Sequence, residues 1–122
     1  MISLRYVILF FTFLKSLTFT SPLYKEFRGT WVITWEYITA SQTADETMNR
    51  IDQIMDNHVT ANMNAVFFQV RQSGTSYYSS SYEPWGYYAG YEYPGFDPLL
   101  YAVNSAHNRG LELHAWFNVF QA

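Results

Sequence analysis

The sequence predicts an α/β fold, a parallel β-α-β-α-β unit, and three observations carry that prediction. Short apolar runs alternate along the chain with stretches of helical periodicity. Both helical stretches carry start and stop signals of their own. The middle strand, AVFFQVR from Ala65 to Arg71, is almost continuously apolar, as befits a strand covered on both faces of a parallel sheet. Crossovers between parallel strands are right-handed in nearly all sheets, so two such crossovers are expected.

The first strand is EFRGTWVITW (Glu26 to Trp35), in which Trp31, Ile33 and Trp35 alternate with Val32 and Thr34. The first helix opens at Thr43 and Glu46, a capping box that satisfies the exposed amides of its first turn. Met48, Ile51, Met55 and Val59 fall on one helical face. Asn62 stands where the helix would end in the left-handed conformation, a place taken by Gly and sometimes by Asn. The second helix begins at Asp97 as cap and Pro98 in the first turn, and Gly110 ends it after Arg109. LELHAWFNVF (Leu111 to Phe120) is the third strand. Three parallel strands with two helices leave two bare edges and little core, so the chain is expected to be the first part of a larger α/β domain.

Composition narrows the function. With 122 residues the chain holds one domain at most. The net charge of -3 argues against a nucleic-acid partner, which calls for a basic patch. There is no cysteine, hence no disulfide framework and no thiolate metal site. His58, His107 and His114 lie on different elements and imply no metal cluster. GYYAGYEYPG has glycines but no phosphate-loop lysine, and the serines of SYYSSSYE form no nucleophile elbow. No cofactor and no metal are expected.

Residues 1–22 read as a secretory leader. Arg5 precedes an apolar run from Tyr6 to Leu14, which fits a signal core of roughly 7–15 residues and falls short of the ~20 needed to span a bilayer. The expectation is an exported protein, periplasmic, extracellular or on the cell surface, with no stable membrane span once the leader is cleaved. Residues 25–122 form the folded part.

Chemistry in parallel α/β folds collects at the carboxyl ends of the strands. With a period of two, Ala65, Phe67, Gln69 and Arg71 share a face of the second strand. Glu112, His114, Trp116 and Asn118 share a face of the third, and Leu111, Leu113, Ala115, Phe117 and Val119 the other. Taken alone, His114 reads as a satisfied core histidine and Arg71 as a strand-end charge. Taken together, Gln69, Arg71, His114, Trp116 and Asn118 are costly to bury without partners or a ligand.

At these residues a resemblance becomes visible. EFRGTWV, NAVFFQVR, YEPWG and GFDPLLYAVNSAHNRGLELHAWFN, in that order, resemble the opening of a glycosyl-hydrolase-like family of mostly bacterial secreted proteins, similar in architecture to TIM-barrel glycoside hydrolases. The resemblance covers about residues 25 to 120. It departs from the family pattern just before the second strand, where Asn62 or a neighbour replaces the usual Gly, and at Val119, where Pro is usual. It implies that the chain corresponds to the first three strands of a (β/α)8 barrel, and that its substrate is a polysaccharide or oligosaccharide.

Glycosidases of this kind use two carboxylates, which the resemblance places on the fourth and later strands. No catalytic residue is therefore assigned in this chain, and the acid/base pair is expected beyond residue 122. Glu36, just after Trp35, is the one acid at a strand's C-terminal end. Glu83 and Glu92 are expected to be solvated loop acids, Asp97 a helix cap, and Glu112 part of an ion pair on the opposite rim.

The long loop after the second strand would lie over the active face of such a barrel. Tyr77, Tyr78, Tyr82, Trp85, Tyr87, Tyr88, Tyr91 and Tyr93 crowd it, and no Lys or Arg occurs from Gln72 to Phe96. Flat apolar rings with polar edges suit the C–H face and hydroxyl rim of a sugar. About half of these rings are expected to pack the loop itself. Trp85 leads the platform candidates, followed by Tyr82 and Tyr78. Substrate-binding candidates are thus Gln69, Arg71, Tyr78, Tyr82, Trp85, His114, Trp116 and Asn118. Two rivals stand beside the hydrolase reading: a non-catalytic carbohydrate-binding protein that uses the aromatic loop, and a truncated product without function.

Overall fold

The computed structural model describes residues 26–120. The expected leader lies outside them. Strand β1 is Gly29–Val32, followed by a single helical turn, α1, Thr34–Tyr37. Helix α2, Ala44–Thr60, leads to β2, Ala65–Gln72, and a two-residue strand β3, Thr75–Ser76. The long loop contains one 3-10 turn at Tyr87–Ala89; α3 is Pro98–Asn108 and β4 is Glu112–Phe117. The chain is thus a mixed α/β structure with a small sheet. Central β2 pairs in parallel with β1 on one side and β4 on the other, so the order of the parallel strands follows the chain.

The first strand ends three residues earlier than the sequence predicts. After Val32 the next ladder positions are lost to side chains: the Thr34 amide donates to Gln69 Oε1 at 3.1 Å, and the Ile33 amide to Glu36 Oε2 at 3.1 Å. The chain therefore turns into α1 and Trp35 leaves the strand. The last strand is shorter than predicted at both ends.

Both crossover helices lie on one face of the sheet. Val66, Phe68 and Val70 of β2 pack there with Val32, Ile51, Met55, Ala102 and Ala106. The buried face of α2 is Thr47, Ile51, Ile54, Met55 and His58, one step round from the expected stripe; Val59 is exposed. Its lower edge is polar, so counting apolar residues alone displaced it. His58 is a satisfied core histidine. A carbonyl can only accept, so Nδ1–H donates to Ile54 O at 2.8 Å and Nε2 accepts from the Thr30 hydroxyl at 2.7 Å.

The predicted helix punctuation holds. The Glu46 amide donates to Thr43 Oγ1 at 3.2 Å while Glu46 Oε2 accepts from the Thr43 amide at 2.8 Å. Asn62 adopts φ 56° and Gly110 φ 73°. Asp97 accepts from the Leu100 amide at 3.0 Å as the cap of α3, and its other oxygen accepts from the Ser79 amide at 2.9 Å. The same carboxylate thus starts a helix and pins the long loop.

A polar clamp joins α2 to α3. Asp52 accepts from the Tyr101 hydroxyl at 2.7 Å, from the Ser105 hydroxyl, and from Arg109 Nη1 at 3.2 Å. Burial acts to raise the Asp52 pKa, but the hydrogen bonds from Ser105 and Tyr101 and the Arg109 charge outweigh it, and the carboxyl lies below its ordinary value. A depressed folded pKa contributes stability that is complete above the unfolded value of about 3.9 and is lost as pH falls through the folded value. Asp52→Asn is accordingly expected to cost about 1 kcal/mol at neutral pH, a figure kept small by the partial exposure of the pair. It should also flatten the fall of melting temperature below about pH 4. Thermal melts by circular dichroism between neutral and acid pH check this; parallel curves for both proteins contradict it.

Candidate functional site

The C-terminal ends of the strands are built around a hairpin that the sequence reading missed. Ser73 and Gly74, with φ of 50° and 69°, form the two-residue turn that brings β3 back antiparallel onto Arg71 and Gln72. The Ser-Gly dipeptide behind a strand is the signal that could have found it. Ser76 then holds the loop to itself: its amide donates to Pro84 O at 2.9 Å and its carbonyl accepts from the Gly86 amide at 3.1 Å. Tyr77 is buried, and Gly86 lies against its ring.

Arg71 ties three segments together at this end. Its Nε donates to both oxygens of Glu83 at 2.7 and 3.0 Å, and Nη2 reaches Glu83 at 2.7 Å. Nη1 donates to the carbonyls of Asn118 and Val119, just after β4. The hydrogen bond with Glu83, opposed by some burial and aided by the Glu83 charge, raises the Arg71 pKa. Glu83 is therefore not the solvated loop acid expected from sequence. Its side chain is 22% exposed and its charge is matched.

Around this pair lies a groove of about 420 Å³, lined by Arg71, Tyr78, Ser80, Tyr82, Glu83, Phe117 and Val119. Tyr82 is 96% exposed beside it. Phe117 was expected on the opposite face of its strand. A register shift between Gln69 and Arg71 sets Phe117 across from Arg71, and its ring meets Tyr78 at 6.1 Å. The bulge has no sequence signal, so periodicity alone could not bring Phe117 and Val119 into the groove.

Of the predicted site residues, the structure brings Arg71, Tyr78 and Tyr82 together, with Asn118 present through its carbonyl. Gln69 is wholly buried; Oε1 accepts from the Thr34 amide, and Nε2 has no partner among the described residues. Trp85 is half-buried with its ring 5.6 Å from Tyr93, and it is not among the residues lining the groove. His114 and Trp116 lie elsewhere, on the sheet face opposite α2 and α3. There Trp31 stacks on Phe67 at 4.4 Å and meets Trp116 edge-on at 5.0 Å, while His114 lies 5.3 Å from both Phe27 and Phe67. Trp31 and Phe27 remain more than half exposed, so among the described residues β2 is covered by helices on one face and by neighbouring rings on the other.

The acids resolve into local roles. Glu36 accepts from the Ile33 amide at the start of α1. Glu112 is exposed, 3.4 Å from His114 Nε2, at the opposite end of the strands. Of the eight loop rings, Tyr82, Tyr87, Tyr91 and Tyr93 are strongly exposed, while Tyr77, Tyr78, Trp85 and Tyr88 are buried or half-buried. The expected division between packing and display is met. An arginine–carboxylate pair flanked by rings offers donors and acceptors side by side, next to flat apolar surface.

The chain has relatives among known proteins. A family described as glycosyl hydrolase-like 10 matches residues 26–122. The chain is 31% identical over 105 residues to Glycosyl hydrolase YngK of Bacillus subtilis (strain 168), covering 80% of this chain and 20% of that protein. It is 33% identical over 108 residues to Glycosyl hydrolase DigH of Escherichia coli (strain K12), covering 77% of this chain and 25% of that protein. The match to DigH of Shigella flexneri has the same extent. The chain thus spans a fifth to a quarter of the length of these curated relatives.

Proposed function

This chain belongs to the glycosyl hydrolase-like 10 family, and from that premise we propose that it forms part of the glycan-binding face of a barrel glycoside hydrolase. The observation that carries the reading is the groove in which Arg71 and Glu83 lie between Tyr78, Tyr82 and Phe117. A sugar ring lays its C–H face on the aromatic rings, and its hydroxyls donate to Glu83 and accept from the guanidinium edge. Because the charges of Arg71 and Glu83 cancel, the groove suits a neutral saccharide. Arg71 acts chiefly as a positioning residue, holding the loop against the exit of β4.

In this reading the aromatic face formed by Trp31, Phe67, His114 and Trp116 is barrel interior, covered by strands outside the described residues. The acid/base pair comes from those later strands, since Glu36 and Glu83 are committed to a cap and an ion pair. The described segment binds glycan and does not cleave it. The protein is exported and works on a polysaccharide outside the cytoplasm.

Calorimetric titration with neutral hexasaccharides (cello-, xylo-, malto- and chitohexaose) tests the binding claim. Tyr82→Ala is expected to weaken the best ligand about tenfold, the loss of about 1.4 kcal/mol of stacking. Its melting temperature should not change, because the ring is exposed. Trp85→Ala should instead lower the melting temperature. Unchanged affinity in Tyr82→Ala would remove the groove from the account.

A further inference from the structure

A second cavity, of about 380 Å³, opens on the other side of the hairpin turn, within the ~300–1,000 Å³ range of small-molecule sites. Its walls are Tyr87, Tyr88 and Tyr91, with Gln72, Ser73 and Thr75 on the hairpin and Tyr77 beneath. We propose that this cavity is a second saccharide subsite, distinct from the Arg71–Glu83 groove, which takes a neutral sugar unit on the Tyr87 and Tyr91 rings. The inference rests on the carbohydrate reading given above and extends it to a separate place on the loop.

Three observations support it. Among the described residues the lining has no Asp, Glu, Lys or Arg, so they offer nothing to an ionic ligand. Tyr87 and Tyr91 are 65% and 63% exposed, with ring centres 5.9 Å apart and planes at 74°. That places one flat wall and one edge at the same opening, the two surfaces that a pyranose with apolar faces and an equatorial hydroxyl rim can use. Polar groups converge from the opposite side. The Gln72 side-chain oxygen is occupied by the Thr34 hydroxyl at 2.8 Å, which leaves the amide donors for a ligand. Tyr77, 1% exposed, forms the floor, and its hydroxyl accepts from the Tyr88 amide at 3.4 Å.

Backbone geometry points to the same place. Among the described residues, Asn62, Ser73 and Tyr91 are the non-glycine positions with positive φ. Asn62 is accounted for as a helix end and Ser73 as the first residue of the hairpin turn. Tyr91 has neither role, and it lines this cavity. A tyrosine at φ 60° is an uncommon cost for so large a side chain, and here it sets the ring across from Tyr87.

The test is a titration of the protein, labelled with 13C in its tyrosine rings, with cello-, xylo-, malto- and chitohexaose, followed by NMR. The inference predicts shifts at Tyr87, Tyr88 and Tyr91 with at least one of these sugars. It also predicts an affinity about tenfold weaker at those signals in Tyr91→Asn, a variant that retains the left-handed backbone. The Tyr78 and Tyr82 signals should titrate as before in that variant. Shifts confined to Tyr78 and Tyr82 would overturn the second subsite and leave the groove standing. Shifts confined to Tyr87, Tyr88 and Tyr91 would support the subsite and count against the groove. No shift with any of the four sugars would overturn both. The wild-type shifts decide the matter even if the variant folds poorly.

Discussion

Gly86→Ala is expected to lower stability by about 1–3 kcal/mol, the cost of overpacking a filled interior, and the melting temperature by roughly 10 °C for a domain of this size. Gly86 has an ordinary φ of -80°, so conformational freedom does not explain its presence. Space does. A Cβ there would lie 2.3 Å from Cζ and 2.4 Å from the hydroxyl oxygen of Tyr77. That ring is 1% exposed and meets Tyr37 at 6.4 Å, so it has no room to yield. The Gly86 amide also donates to Ser76 O at 3.1 Å, and displacing it would loosen the closure of the whole aromatic loop. Affinity for sugar should fall along with stability. Gly74→Ala is the contrasting variant: nothing lies within 4 Å of the added atom and φ is 69°, so it should cost only backbone strain of about 1 kcal/mol. Thermal melts compare the two. A Gly86→Ala protein that melts with the wild type would show that the loop is not seated on Tyr77.

Tyr37→Ala should cost about 3–5 kcal/mol, as for other fully buried aromatic rings, a large share of the ~5–15 kcal/mol that holds a domain together. Tyr37 is completely buried, stacks on Phe68 at 4.2 Å, and donates from its hydroxyl to Gln69 O at 2.8 Å. Burial, with a smaller contribution from Tyr77, pushes its pKa well above the ordinary value, so the donor persists. Tyr37→Phe keeps the stack and removes only that bond, for about 1 kcal/mol. Urea unfolding of both variants separates packing from hydrogen bonding. Equal losses would mean that the hydroxyl, not the ring, supports the strand ends.

Where a residue's job is local, the sequence was legible. Thr43, Glu46, Asn62, Asp97, Pro98 and Gly110 act where capping chemistry puts them, because a cap depends on neighbours within a turn. The middle strand was legible from its apolar run. The first strand was overextended because its end is decided by Gln69, 35 residues away, which takes the Thr34 amide. The buried face of α2 was displaced because His58 and Thr47 are polar by type and buried by partnership or position. Arg71, Tyr78 and Tyr82, singled out from strand-end position and aromatic density, line one groove. Glu83 was misjudged as solvated, since its pairing with Arg71 spans 12 residues of loop. Phe117 and Val119 were hidden by a bulge that changes register without changing composition. His114 and Trp116 follow the predicted alternation, yet they join an aromatic layer below the groove rather than its wall.

The proposed sugar site is the Arg71–Glu83 groove. The measurement that tests it most directly is a crystal structure of the protein with the tightest-binding of the four hexasaccharides. A pyranose ring is expected against Tyr78, Tyr82 or Phe117, with hydroxyls within hydrogen-bond distance of Glu83 and Arg71. A bound saccharide that leaves this groove empty would contradict it.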